Sequence, residues 1–167
     1  MAVQSLILSH LNYCLPVWGS TSNTQLSRVQ KLLNFAARIA VGGARKYDHV
    51  SPIFEKLKWL KMKQRFIYSI CILVFKSINT IVPEWLFPLP TVRVTRSNLV
   101  NTRHQNKLYV PRTNTDTGAR NLSVIGPKLW NQLPNSISDC QSLLSFKARL
   151  TRYLFINQLS QTPQIHL

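Results

Sequence analysis

Between residues 24 and 42 the apolar side chains Leu26, Val29, Leu33, Ala36 and Ala40 return at three- and four-residue steps, while Arg28, Lys31 and Arg38 take other faces. That is the period of an α-helix with one buried stripe, and Gly42-Gly43 behind it is a helix stop. Residues 62–79 repeat the pattern with Phe66, Ile70, Leu73 and Ile78, and after Tyr68 they are apolar nearly all round. A helix without a polar face belongs at the centre of a domain. A third helix is predicted from about Gln141 to Phe155, with Leu143, Phe146, Leu150 and Leu154 on one side and Lys147, Arg149 and Arg152 elsewhere. Three such segments predict a mainly α fold.

Shorter elements fill the intervals. Leu6, Ile7, Leu11 and Leu15 predict a first helix that Pro16 kinks or ends. Gly19 to Asn23 reads as a turn, with Asn23 or Thr24 as helix cap, and a short helix starts near Ser51 with Pro52 in its first turn. Pro83, Pro88 and Pro90 then break the chain around a single helical turn at Glu84–Phe87. From Thr91 to Gly118 the periodicity fades. Short strands are expected at Lys107–Pro111 and Leu122–Ile125, and Gly126-Pro127 is expected to turn into a brief helix around Trp130. The chain therefore divides into a helical region over 1–90, a basic loop and short-strand segment over 91–118, and a C-terminal helical region over 119–167. The second half is a small α+β region.

The composition says what such a fold meets. With 21 basic and 5 acidic residues in 167, the chain carries a net charge of +16. Self-repulsion on that scale destabilises a compact state, so a polyanion is the expected partner: nucleic acid first, an anionic membrane surface second. The apolar run from Phe66 to Val82 is interrupted by Lys76 and Asn79 and is too short for a membrane span. No basic, small-residue leader pattern opens the chain. Cys14, Cys71 and Cys140 lie far apart without a CxxC pair, which argues against a zinc-thiolate site and a disulfide framework. Cys14 and Cys71 are expected to be small buried hydrophobes. A nuclear or cytoplasmic protein, not a secreted one, is the expectation.

The charge is clustered. Residues 41–65 hold Arg45, Lys46, Lys56, Lys58, Lys61, Lys63 and Arg65 against Asp48 and Glu55, a net of +5. Residues 91–112 hold Arg93, Arg96, Arg103, Lys107 and Arg112 with no acid, again +5. Lys58, Lys61, Lys63, Arg65 and the five cations of the second segment are the candidate phosphate contacts. Asn101, Thr102, Asn106 and Tyr109 interleave with them and offer hydrogen bonds or stacking to bases. A solvated basic face is the plainer alternative, but so few acids to pair the charge favour nucleic acid.

Catalytic patterns are missing from the sequence. Polymerases and nucleases need carboxylates converging on divalent ions, whereas Asp48, Glu55, Glu84, Asp116 and Asp139 are scattered. His10, His49, His104 and His166 have no metal-site spacing, and no orienting carboxylate accompanies His10 and Cys14 as a nucleophilic pair. Asp139 is expected to precede or cap the last helix. Neither a metal nor a cofactor is expected, and no small-molecule substrate.

Several short motifs carry a resemblance. Ser9-His10-Leu11-Asn12-Tyr13-Cys14-Leu15-Pro16-Val17-Trp18-Gly19, then Leu26-Ser27-Arg28-Val29-Gln30-Lys31 with Ala36-Ala37-Arg38-Ile39, then Arg103-His104, then Trp130-Asn131-Gln132-Leu133-Pro134 and Ser145-Phe146-Lys147 occur in this order. This series resembles the region behind the catalytic core of non-LTR (LINE-type, jockey-like) retrotransposon reverse transcriptases, over nearly the whole chain. The resemblance implies a thumb-like helical subdomain followed by a C-terminal region, both contacting RNA or DNA. The family's catalytic "Y/F-A-D-D" motif lies upstream of the matched region, so its catalytic residues have no counterpart here. The resemblance implies a non-catalytic fragment of an RNA-directed DNA polymerase, from a truncated reading frame in which Met1 is an internal methionine. In such a fragment Leu6, Ile7 and Leu11 would lose their cover and form a patch for self-association. Trp18 and Trp130 are expected as core anchors whose indole N–H groups find partners. Two other readings remain open at this point: a host-used protein-interaction module, and an inactive relic.

Overall fold

Ser22, Thr115 and Asn121 each accept a backbone N–H from two or three residues ahead, and each starts a helix. Such caps satisfy donors that the first turn leaves unpaired. The computed structural model describes residues 2–42, 45, 47–79, 81 and 107–159. Among them the helices are α1 (Ala2–Asn12), α2 (Leu15–Trp18), α3 (Asn23–Val41), α4 (Val50–Leu57), α5 (Met62–Ile78), α6 (Asp116–Ala119), α7 (Leu122–Trp130), α8 (Asn135–Ser138) and α9 (Leu143–Leu159). The fold is mainly helical.

Local chemistry moves several boundaries. The first helix ends at Asn12, ahead of Pro16, because Cys14 takes a left-handed conformation with φ 48°. Pro16 falls instead in the first turn of α2, where its missing N–H costs nothing. Cys14 is exposed there, contrary to its expected burial, while Cys71 is buried. The cap of α3 is Ser22, one residue before the expected Asn23, and Gly42 ends α3 at φ 69°.

Neither expected strand is found among the described residues, although Leu108 carries a single bridge. Leu122–Ile125 is the first half of α7, since the Asn121 side chain accepts from Ser123 N–H and commits the turn to helix. Gly126 and Pro127 lie inside that helix, and the missing N–H of Pro127 affects only the carbonyl four residues back, at Ser123. Residues 107–113 are not helical, and no strand occurs among the described residues.

The described residues group into two compact units, one from residues 1–69 with 151–159, the other from 70–150. In the first, α3 packs on α1 and α4. Its core includes Leu15, Leu33, Ala36, Phe54, Met62, Phe66 and Leu154, each large side chain contributing about 1.5–3 kcal/mol by leaving water. Phe54 and Trp59 meet edge to face, with centroids 6.4 Å apart. Gly19 is buried against Phe66, and a Cβ there would run into that ring and the Leu15 carbonyl oxygen. Trp18 is half-buried rather than a core anchor, and its indole N–H donates to the Tyr13 carbonyl at 2.8 Å.

The second unit is organised by aromatic rings. Phe75 of α5 stacks on Phe146 of α9 at 4.4 Å and 22°, and Trp130 of α7 lies 5.7 Å from Phe146 and 6.5 Å from Phe75. Val124, Ile125, Leu129, Leu133 and Leu150 are buried in the same unit. The indole N–H of Trp130 has no hydrogen bond among the described residues, unlike that of Trp18. Asn131 takes the part a neighbouring strand would play for Leu108: its amide accepts from Leu108 N–H at 2.9 Å and donates to Leu108 C=O at 2.8 Å. Every side chain of α5 from Gln64 to Ser77 is buried or half-buried, while Ile78 at its end is exposed. Glu84–Phe87, Pro83, Pro88 and Pro90 lie outside the described residues.

Candidate nucleic-acid interface

Helix starts carry unpaired N–H groups and a partial positive charge of about half a unit each. In the first unit three of them open on one groove of about 520 Å³. Asn23, Leu26 and Ser27 come from the start of α3, Val50 and Ser51 from that of α4, and Met62, Lys63 and Gln64 from that of α5. Gln30, Asn34 and Lys61 complete the lining, so it holds two lysines and no carboxylate.

The polar groups around the groove are partly committed. Gln158, itself buried, accepts from Lys61 N–H at 2.7 Å and donates to Trp59 C=O at 3.1 Å. Gln30 accepts from Met62 N–H at 2.7 Å and donates to Asn34 Oδ1 at 2.6 Å. Two remote glutamines thus cap the start of α5 in place of a local Ser or Asp. The next two N–H groups, of Lys63 and Gln64, have no partner among the described residues. His49 heads α4 without a side-chain cap, and the buried Oε1 of Gln64 has no hydrogen bond. The groove lining thus combines two lysines, the unpaired N–H groups of Lys63 and Gln64 and one unpaired acceptor, Gln64 Oε1, with no carboxylate.

The candidate cations fall into distinct settings. Lys61 lines the groove half-buried, and Lys63 lines it exposed. Lys58 is exposed at the end of α4 in a left-handed conformation, φ 54°. Arg65 points inward: its Nε donates to Leu60 C=O at 2.8 Å and its Nη1 to Asn12 Oδ1 at 3.3 Å. Burial pushes its guanidinium down to about 10, so it remains charged at neutral pH while serving the fold. Lys107 and Arg112 are exposed in the second unit. Arg93, Arg96 and Arg103 lie outside the described residues, as do Asn101, Thr102 and Asn106.

Sequence reasoning found the lysines but missed Gln30, Asn34 and Gln158. Nothing in their spacing ties them to residues 61–64. Of the apolar trio on α1, Leu6 is exposed while Ile7 and Leu11 are half-buried. Among the described residues no three His, Cys, Asp or Glu side chains gather into a metal site, and no helix is long and apolar enough to cross a membrane.

No family model matches the chain, and no curated protein and no solved structure matches it.

Proposed function

We propose that this chain binds nucleic acid without catalysing its synthesis, as the thumb and post-thumb part of a non-LTR retrotransposon-type reverse transcriptase. The observation that carries the binding is the groove where three helix starts meet Lys61 and Lys63 with no carboxylate in its lining. A phosphate seated there accepts from the free N–H groups of α5 and is neutralised by the two lysines. Lys58, exposed at the end of α4, is a further candidate contact, and Arg93, Arg96, Arg103, Lys107 and Arg112 supply a second set. Arg65 supports the surface from beneath by holding the α4–α5 turn. The origin rests on the ordered sequence motifs alone.

Binding to an RNA–DNA hybrid, duplex DNA and single strands across a salt series tests this reading. A steep salt dependence with preference for the hybrid is expected. Changing Arg93, Arg96 and Arg103 to Ala should weaken binding and flatten its salt dependence. Equal, weak binding to every polyanion would contradict a thumb-like grip. A protein-interaction module is the second reading, and it is favoured by an apolar face on α3.

A further inference from the structure

The buried stripe of α3 accounts for Leu26, Leu33, Ala36 and Ala37. Three other large apolar side chains of the same helix stand in water: Leu32 is 62%, Phe35 63% and Ile39 49% exposed. Their spacing of three and then four residues lines them up along one side over two helical turns, about 10 Å of axis. An isolated exposed leucine needs no explanation, whereas an aligned row on the outer side of an amphipathic helix is the form of a helix-docking surface.

Charge identifies the occupant. Arg28 stands one turn before Leu32 on the same side, Lys31 one turn before Phe35, and both are exposed. No Asp or Glu occurs anywhere in α3. A second copy of this chain would bring the same cations against Arg28 and Lys31, on molecules that each carry +16. A partner with carboxylates beside its apolar row would pair with both features at once.

We infer that the outer face of α3, built on Leu32, Phe35 and Ile39 with Arg28 and Lys31 at its edge, docks an acidic amphipathic helix of a partner protein. The apolar row supplies burial, and the cations select acidic over basic helices and fix direction. This surface is separate from the lysine groove, so the two can fail independently.

The test uses the full chain and a synthetic amphipathic helical peptide of about 15 residues, with a leucine row flanked by glutamates, and its counterpart with lysines in their place. Saturable binding of the glutamate peptide, at least about tenfold tighter than its counterpart, is expected. Leu32→Ser with Phe35→Ser should abolish it with helix content unchanged, because both side chains are exposed. Leu144→Ser, 77% exposed on α9, should leave it intact. Equal loss in the Leu144 variant, or persistence in the double variant, would show nonspecific charge attraction and overturn the proposal. So would a wild-type dimer that Phe35→Ser dissociates, since a second copy would then cover the face. Displacement of the peptide by anionic phosphatidylserine vesicles, itself lost in Leu32→Ser with Phe35→Ser, would assign the face to a membrane and overturn it equally.

Discussion

Asn131 holds Leu108 by both backbone groups, accepting from its N–H at 2.9 Å and donating to its C=O at 2.8 Å. One side-chain amide thereby does for a single extended residue what a strand does for its neighbour. It also explains why an Asn follows Trp130: the tryptophan anchors α7 in the core while the amide ties down a segment 23 positions earlier. Replacing Asn131 by Ala leaves two half-buried backbone groups unpaired and should lower stability by about 1–3 kcal/mol. Urea unfolding of the variant measures this. Asn131→Asp keeps the acceptor but loses the donor, and should recover only part of the loss.

Phe146 is fully buried and stacked on Phe75. Phe146→Ala should destabilise the protein by about 3–5 kcal/mol through lost burial and a residual cavity. Phe146→Leu, which keeps most of the volume, should cost markedly less. Thermal unfolding followed by circular dichroism distinguishes them, and equal losses would remove the aromatic cluster from its place in the core.

The three cysteines should separate by reactivity. Burial pushes the Cys71 thiol up to about 12, so it is almost wholly protonated at pH 8 and shielded from reagents. Cys14 is exposed and Cys140 half-buried. Titration with a disulfide reagent under native conditions should modify Cys14 fastest and Cys140 next. Cys71 should react only in denaturant. Rapid native modification of Cys71 would contradict its place in α5.

Sequence patterns reached different parts of this fold to different depths. Phe66, Ile70, Phe146, Leu150 and Leu154 were legible because burial on one side of a long helix prints a period into the chain. Leu122–Ile125 was not, because β-branched Val124 and Ile125 followed by Gly126-Pro127 imitate a strand and its turn. What decides the helix is the Asn121 cap, a local hydrogen bond that outweighs weak propensity. Lys107–Pro111 misled differently: only Leu108 carries a bridge, and its own N–H and C=O are taken by the side chain of Asn131, just behind α7. In the candidate site, Lys61 and Lys63 stood out by charge. The groove did not, since it exists only where starts of α3, α4 and α5 meet. The outer row of α3 had a signal of its own, Leu32, Phe35 and Ile39 at helical spacing, but the stronger stripe on the buried side masked it.

The measurement that most directly tests the central claim is the salt slope of binding to an RNA–DNA hybrid for the wild-type chain and for Lys61→Ala with Lys63→Ala. Lys63 is exposed and the Lys61 N–H bond to Gln158 survives substitution, so the variant should fold normally. If these lysines seat phosphates in the groove, affinity falls and the slope of log K against log salt loses about 1 for each lysine. Wild-type affinity with an unchanged slope in the folded variant would contradict the groove as the nucleic-acid site.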